Sequence, residues 1–281
     1  MRYDRATAIP FMALMILLAC GTDHVRASLV SEWRFDETSG TIAHDNVGGI
    51  NGTLSGGATF DPGAGPGPGI YSGAISLSEA TNSYVDMGSV YPFTSGSFSI
   101  VAWVRLTPGD TNYYPNIAGK QYAGLVSGYG LFTSSPYLGG VDLGKAGFYA
   151  SDQDPTNYAY STTLVDDGAW HQLVGVYNAN GTHQIYVDGQ LEGSAPSSPI
   201  LANTADFLVG GLFLNGANTG YFNGLISDVR VYNNALSASN VESIYQQVLS
   251  GQAVPEPSSL CLIGLAMACL TGYGRILRKR R

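Results

Sequence analysis

Short runs of alternating residues, separated by turn residues, constrain the fold of this sequence more than any other feature. The run from Ser97 to Leu106 shows this best, because every second residue from Phe98 onward is apolar. Successive side chains of a β-strand point to opposite faces, so one face of this strand must lie in a core. Gly, Pro, Asn and Asp bound similar runs along the chain, which favours an all-β sandwich.

A second group of runs predicts a three-stranded antiparallel meander. Residues 171–178 and 183–188 have the composition of strands and are joined by a loop that contains Asn180 and Gly181. Asp188 and Gly189 then supply the pair that a tight type I′ hairpin needs.

The last part of the region predicts a strand and one short helix. In the run from Leu225 to Tyr232, alternation places Leu225, Ser227, Val229 and Val231 on one face. Ser239 and Glu242 then fit a capping box. Five apolar residues continue at helical spacing: Val241, Ile244, Tyr245, Val248 and Leu249.

Charge and cysteine content exclude several classes of function. Between Ser28 and Val254, five basic residues against 18 acidic ones leave a formal charge of −13. Such a surface repels phosphate backbones, so we expect no nucleic-acid partner. Cys20, Cys261 and Cys269 all lie in terminal apolar runs, so the central region has no disulfide, no thiolate nucleophile and no cysteine-based zinc site.

The first 27 residues predict a secretory signal peptide. Two arginines precede an apolar stretch at 9–20, the length of a signal-peptide core. Val25-Arg26-Ala27 then predicts cleavage before Ser28. The alternative is lipoprotein processing, since residues 17–21 resemble a lipobox with Cys20 as the lipidated residue.

The carboxyl end predicts a membrane helix at about 258–277. This span carries a single charge, Arg275, and a 20-residue helix reaches roughly 30 Å, one hydrocarbon core. The Arg-Lys-Arg-Arg tip that follows should stay cytoplasmic, which leaves everything before Val254 outside the membrane.

The same tail resembles the PEP-CTERM sorting signal of exported bacterial proteins. That signal combines a Pro-Glu-Pro triplet, here Pro255, Glu256 and Pro257, with a short transmembrane helix and an arginine-rich end. The resemblance implies that residues 251–281 are read by an exosortase-type sorting protease. It also implies membrane anchoring through the helix, followed by delivery to the cell surface or an extracellular matrix.

The region from 28 to 250 is similar to the laminin-G-like, concanavalin A-like family of jelly-roll domains. The resemblance implies an antiparallel two-sheet β-sandwich with one short C-terminal helix. The motifs that carry it, in order, are Trp33-Arg34-Phe35-Asp36 with Asp45 and Asn51-Gly52, Ser83-Tyr84-Val85, Phe98-Ser99-Ile100, Ala102-Trp103-Val104, Trp170-His171-Gln172-Leu173-Val174, Tyr186-Val187-Asp188-Gly189, Phe222-Asn223-Gly224, Asp228-Val229-Arg230-Val231-Tyr232 and Ala235-Leu236-Ser237.

The resemblance also implies a structural Ca²⁺ site. Its ligands would be the acidic residue after the first strand, Asp36, and the aspartate before the Val-Arg-Val-Tyr strand, Asp228, with backbone carbonyls completing the shell and Asp45 as a weaker candidate. Calcium prefers hard oxygen ligands of this kind. The alternative is that Asp36 and Asp45 are turn residues and that Asp228 pairs with Arg34 or Arg230.

No catalytic motif is apparent, and we expect no enzyme activity. A glycosidase on this fold needs two carboxylates about 5 to 9 Å apart, and the Glu-x-Asp-x-x-Glu signature of related bacterial glucanases is absent. Asp152/Asp154 and Asp166/Asp167 lie in turn-like sequence. His171 lacks an identifiable nucleophile and orienting acid, and the resemblance implies that the Trp170-His171 pair is structural.

Eight tyrosines between 112 and 160 are the remaining candidates for a ligand surface, because aromatic faces stack on sugars. Half-buried strand tyrosines with a solvated hydroxyl are the more common arrangement. These residues are Tyr113, Tyr114, Tyr122, Tyr129, Tyr137, Tyr149, Tyr158 and Tyr160.

Taken together, the sequence predicts an exported, surface-sorted bacterial protein that binds a carbohydrate or another matrix component. One alternative is a structural matrix or adhesion protein without a specific small ligand. The other is a polysaccharide hydrolase or lyase.

Overall fold

The computed structural model describes residues 28–109, 115–121, 128–133, 144–150, 157–179, 181–214 and 217–251. The predicted signal peptide, the Pro-Glu-Pro triplet and the predicted membrane helix lie outside these ranges. Within them, no helix combines the length and the apolar character needed to cross a membrane.

The described residues form a β-sandwich with one α-helix. Two short 3₁₀ turns lie at Gly69–Tyr71 and Glu79–Thr81. The strands and the helix, in chain order, are β1 (Leu29–Trp33), β2 (Ile42–Ala43), β3 (Gly52–Ser55), β4 (Thr59–Pro62), β5 (Gly73–Leu77), β6 (Tyr84–Asp86), β7 (Phe98–Leu106), β8 (Asn116–Gln121), β9 (Gly128–Thr133), β10 (Lys145–Ala150), β11 (Ala159–Leu164), β12 (His171–Tyr177), β13 (Thr182–Val187), β14 (Gln190–Pro196), β15 (Leu208–Val209), β16 (Leu212–Leu214), β17 (Ala217–Thr219), β18 (Gly224–Tyr232) and α1 (Ala238–Ser250).

Two eight-stranded antiparallel sheets make up the sandwich. The first sheet has the order β14-β13-β12-β7-β18-β5-β4, with β1 added beside β18. The second has the order β11-β10-β9-β8-β15-β6-β3-β2, and β16 and β17 form a separate hairpin. The predicted two-sheet fold with one short C-terminal helix is therefore confirmed.

The main core lies between the two sheets. The predicted inward face of β7, from Phe98 through Ile100 to Leu106, is buried there. Trp33 of β1 is fully buried, stacks on Phe207 with ring centroids 6.2 Å apart, and donates its Nε1 hydrogen to the Ile50 carbonyl at 2.8 Å. This bond satisfies the one polar group of a large buried ring.

The predicted meander is present as β12, β13 and β14. At the turn between β13 and β14, Asp188 has φ 48° and Gly189 has φ 82°. A type I′ turn needs positive φ at both central residues, and glycine and aspartate adopt it at low cost. The prediction from the Asp-Gly pair is confirmed.

Helix α1 covers part of the outer face of the first sheet. Val241, Ile244 and Val248 are buried, and Tyr245 stacks on Trp103 with ring centroids 5.5 Å apart. The predicted capping pair is wrong, because the N-cap is Ser237: its Oγ accepts from the amide of Asn240, whose side chain accepts from the Ser237 amide.

Strand β18 contains a β-bulge that the alternation pattern does not show. Ser227 lies opposite Trp103 but Arg230 lies opposite Val101, so β18 has one extra residue between them. Asp228 adopts φ 46° there. The prediction that Leu225, Ser227, Val229 and Val231 share one face is therefore wrong. Val229 and Val231 face the core with Ile226, whereas Leu225 and Ser227 lie on the outer face.

Glu192 of β14 links the edges of the two sheets. Its carboxylate accepts hydrogen bonds from the amides and hydroxyls of Thr162 and Thr163 in β11, at 2.6 to 3.1 Å. Burial raises the pKa of Glu192, but these hydrogen bonds outweigh it and hold the pKa below its ordinary 4.5. Because the folded pKa is depressed, this stabilisation is present above pH 4.5 and lost as pH falls through the folded value.

We expect Glu192→Gln to lower the free energy of unfolding by about 1–2 kcal/mol at pH 7, because a neutral amide accepts weaker hydrogen bonds. The difference from the wild type should shrink toward pH 3, as the pH falls through the lowered pKa of Glu192 and its carboxylate becomes protonated. Chemical denaturation of the full chain at both pH values measures it. Glu79→Gln, at an exposed carboxylate, is the control. An equal loss at pH 3 would contradict the assignment.

Candidate ligand-binding groove

An open groove of about 460 Å³ lies on the outer face of the first sheet. Its volume is within the range of small-molecule sites, about 300–1,000 Å³. The polar side chains that line it are Asp61, Ser76, Ser78, Arg105, Thr107 and Asn223.

Cross-strand register explains why these residues meet. Leu225 of β18 lies opposite Ser76 of β5 on one side and opposite Arg105 of β7 on the other. Paired residues in an antiparallel sheet share a face. Trp170 directly precedes His171, which lies opposite Val104, so the indole reaches the same row. The Arg105 guanidinium carbon lies 5.6 Å from the Trp170 ring centroid.

A glycine allows two strands to approach each other closely beneath the groove. A Cβ on Gly224, which has φ 145°, would come within 2.3 Å of the Arg105 carbonyl oxygen. Only glycine therefore allows β18 to approach β7 this closely at the start of the strand.

Helix α1 leaves this end of the sheet open. Its last contacts on β7 are with Trp103, which packs against Tyr245 and Val248. Arg105 continues the same outward face two residues further along and is partly exposed. The groove thus lies on the outer face of the sheet beyond the part of β7 that the helix covers.

The polar side chains of the groove are available for a ligand. Those of Ser76, Ser78, Thr107, Asn223 and Asp61 make no hydrogen bond with the rest of the described protein. Every hydroxyl, amide and carboxylate oxygen among them therefore faces water or a ligand. A groove with convergent, unused hydrogen-bonding groups is the usual form of a binding site.

Arg105 differs from the other basic residues between Ser28 and Gly251. Arg34 and Arg230 are paired with Glu32. Lys120 is buried and donates to the Val90 carbonyl at 3.0 Å, and Lys145 has an interaction of its own. Within the described ranges, the Arg105 side chain makes no hydrogen bond and no ion pair, and its one electrostatic contact is the cation–π contact with Trp170.

His171, which follows Trp170 in the chain, is held by two carboxylates. Its Nδ1 lies 2.8 Å from Asp188 Oδ2 and its Nε2 lies 3.2 Å from Asp167 Oδ1. The hydrogen bond to Asp188 raises the pKa of His171, with burial acting against it. Both ring nitrogens are occupied by acids and neither contacts a nucleophile, which fits the structural role that the family resemblance implies.

The three predicted calcium ligands occupy different environments. Asp36 is exposed. Asp45 accepts five hydrogen bonds, from the Ser31 hydroxyl and from the amides of Glu32, Val47, Gly48 and Ile50. Burial raises the pKa of Asp45, but these bonds outweigh it and lower the pKa overall.

Asp228 belongs instead to a buried charge cluster, defined here as Glu32, Arg34, Asp228 and Arg230. Arg230 Nε lies 2.9 Å from Asp228 Oδ1 and 3.2 Å from Glu32 Oε1, and Arg34 Nη2 lies 2.5 Å from Glu32 Oε2. Burial raises the pKa of Asp228, with Arg230 acting against it. The cluster contains two positive and two negative groups, so its charges balance.

As they stand, Asp36, Asp45 and Asp228 do not form a shared ligand set. No group of three or more acidic, histidine or cysteine side chains in the described residues could hold a metal ion. Calcium binding remains a prediction.

Four of the eight tyrosines between 112 and 160 lie in the described residues. Tyr129 lies in the core and donates its hydroxyl hydrogen to the Tyr91 carbonyl at 2.6 Å. Tyr149, Tyr158 and Tyr160 cluster with Phe132, and Phe132 and Tyr149 are buried. We name these four residues the aromatic cluster. Tyr113, Tyr114, Tyr122 and Tyr137 lie outside the described residues, as do the acidic pair Asp152/Asp154.

The groove is a site that the sequence did not reveal. Its residues come from β4, β5, β7, β18 and the segment before β12, so only the strand order brings them together. One signal was present: Arg105 is a charge on the outward face of a strand that is otherwise apolar or small, and such a charge needs a reason.

Comparison with known proteins agrees with this fold. The model of the concanavalin A-like lectin/glucanases superfamily matches residues 79–242, and that of the PEP-CTERM protein-sorting motif matches residues 253–281. The second match indicates export with a membrane-associated, exosortase-dependent sorting signal. A search of curated proteins found no match.

Three solved structures illustrate the likeness. Domain 4 of AbnA, an extracellular GH43 arabinanase from Geobacillus stearothermophilus solved with arabinotriose, is 19% identical, with a TM-score of 0.57 over 79% of this chain and 100% of that one. A sialidase mutant of Trypanosoma rangeli with trans-sialidase activity is 15% identical (TM-score 0.54), over 78% of this chain and 33% of that one. The botulinum neurotoxin serotype D binding domain is 13% identical (TM-score 0.54), over 78% and 51%.

At these identities the solved structures share the fold. The chain spans the whole of the arabinanase domain but about half of the toxin domain and a third of the sialidase. The superfamily model, by contrast, matches more than half of this chain. The protein therefore belongs to the concanavalin A-like lectin/glucanases superfamily and carries a PEP-CTERM sorting motif at its carboxyl end.

Proposed function

We propose that this protein is a non-catalytic carbohydrate-binding protein that is displayed at the cell surface or in an extracellular polysaccharide matrix. The observation that carries the proposal is the groove, in which the polar side chains make no hydrogen bonds with the protein beside a partly exposed tryptophan. Sugars need this combination, because they present hydroxyls at their edges and C–H groups on their faces.

Two further observations support carbohydrate as the ligand class. The arabinanase domain that shares this fold was solved with arabinotriose. The sorting motif directs export, which would place the groove where polysaccharides are found. The predicted membrane helix would hold the chain until an exosortase-type protease reads the motif.

The number of carboxylates in the groove favours binding over hydrolysis. Glycoside hydrolysis uses two carboxyl groups on either side of the scissile bond. Of the described residues that line the groove, one is acidic, Asp61. A single carboxylate can accept hydrogen bonds from sugar hydroxyls but cannot supply both the acid and the nucleophile or base.

Trp170 makes binding measurable without a label. The chain has three tryptophans, and Trp33 and Trp103 are buried. Trp170 is partly exposed beside the groove. We expect soluble polysaccharides that bind to change the emission of the full chain in mild detergent, and we expect Trp170→Phe to remove that change.

We expect Asn223→Ala to weaken glycan binding about tenfold, because the amide offers a donor and an acceptor that the protein does not use. Calorimetry on the full chain, with the polysaccharide identified by fluorescence, measures the change. Thr53→Ala is the matched control, since Thr53 is exposed on the second sheet. Equal affinities of the two variants would move the site elsewhere, whereas self-association without glycan binding would favour a structural matrix protein.

A further inference from the structure

The strongest feature of the groove beyond its polar lining is an unpaired cation. We infer that the groove selects anionic glycans, with Arg105 as the side chain that binds their carboxylate or sulfate groups. The inference rests on the proposed function, since it names the class of glycan for the same site.

The guanidinium of Arg105 is free to bind an anion. The Arg105 side chain makes neither an ion pair nor a hydrogen bond among the residues described, although Asp61 lines the same groove. Its guanidinium carbon lies 5.6 Å from the Trp170 ring centroid, within the range of a cation–π contact. The N–H groups of the guanidinium remain available. They form the planar fork that carboxylates and sulfates match with two parallel hydrogen bonds.

The surroundings of the groove are acidic overall. The chain between Ser28 and Val254 carries a formal charge of −13. An acidic surface repels polyanions at long range, so adventitious binding of acidic polymers is disfavoured. Any preference for acidic over neutral glycans must therefore come from a local cation, and Arg105 is the lysine or arginine among the described residues whose side chain makes neither an ion pair nor a hydrogen bond.

The other polar side chains of the groove can bind the hydroxyls of a sugar. Asp61 can accept hydrogen bonds from hydroxyls, and Asn223, Ser76 and Thr107 can both donate and accept. A charged sugar has one anionic group and several hydroxyls. The groove offers one cation and several hydroxyl partners, so it matches one charged sugar unit of a chain.

The test compares three soluble probes on the full chain in detergent: oligogalacturonate, which carries carboxylates, dextran sulfate, and uncharged dextran. Trp170 emission and calorimetry report binding. We expect at least one acidic probe to bind tenfold or more tightly than dextran. Whichever acidic probe is preferred identifies the anionic group.

Variants assign the preference to Arg105. We expect Arg105→Gln to lose at least tenfold in affinity for the acidic probe and, because of the acidic surroundings, to bind it no better than dextran. Arg105→Lys should keep the preference with weaker binding, since it retains the charge but not the fork. Lys145→Gln removes one positive charge from the second sheet and should leave the preference unchanged.

The outcomes separate this inference from the proposed function. Equal binding of acidic and neutral probes by the wild type would overturn anion selection while leaving glycan binding intact. This comparison uses the wild type alone, so it does not depend on whether any variant folds. An acidic preference that survives Arg105→Gln would also overturn it. Binding of no glycan at all would overturn both.

Discussion

Replacing Arg230 with methionine should lower the free energy of unfolding by about 3–5 kcal/mol, the usual cost of removing one partner from a buried ion pair. Arg230 is fully buried and lies 2.9 Å from Asp228 Oδ1 and 3.2 Å from Glu32 Oε1, so it pairs with both carboxylates. Methionine fills much of the volume but leaves two buried carboxylates with Arg34 as their remaining counter-charge. Chemical denaturation of the full chain measures the loss.

The controls follow from the same cluster. Arg34 is 23% exposed in its side chain, so Arg34→Met should cost about 1 kcal/mol. Without Arg230, burial should raise the pKa of Asp228 further above its ordinary 3.8. A buried carboxylate with a raised folded pKa destabilises the protein while it is charged, and this cost disappears as it becomes protonated. The loss in free energy of unfolding caused by Arg230→Met should therefore shrink as pH falls toward 4. Equal losses for the two variants at every pH would contradict this account.

Replacing Asp45 with alanine should cost about 2–4 kcal/mol, because it removes the acceptor for four backbone amides and the Ser31 hydroxyl at once. These bonds fix the loop that follows β1 against that strand. Asp45→Asn keeps one of the two oxygens and should cost about half as much. Thermal or chemical denaturation of the full chain gives both values.

Asp36→Ala is the matched control for Asp45 and also tests the calcium prediction. Asp36 is exposed, so its loss should change stability by less than about 0.5 kcal/mol. If Asp36, Asp45 and Asp228 bind calcium, the wild type should melt higher with Ca²⁺ than with chelator, and Asp36→Ala should reduce that difference. Identical midpoints with Ca²⁺ and chelator would remove calcium from the account.

Short sequence patterns predicted the elements that depend only on neighbouring residues in the chain. Alternation placed the core face of β7, and the Asp188-Gly189 pair predicted the turn between β13 and β14. The spacing of Ser239 and Glu242 matches the usual capping box, whereas the structure uses Ser237 as the N-cap and Asn240 as its reciprocal partner. Asparagine is a less usual partner in this motif than Glu or Gln.

The bulge and the groove depend on information that alternation does not contain. An extra residue at Asp228 is visible only from the register of β18 against β7. It shifts the residues after it to the opposite face, so the predicted faces of the second half of the strand are exchanged. The groove depends on which strands are neighbours, since Ser76, Arg105, Trp170 and Leu225 are far apart in the chain.

The central claim is that glycans bind at the groove on the first sheet, and hydrogen exchange on the full chain tests it most directly. With a bound acidic glycan, the account predicts slowed exchange in the segments 76–78, 105–108 and 223–225, with little change elsewhere. Protection confined to the aromatic cluster of Phe132, Tyr149, Tyr158 and Tyr160, with none in the groove segments, would contradict it.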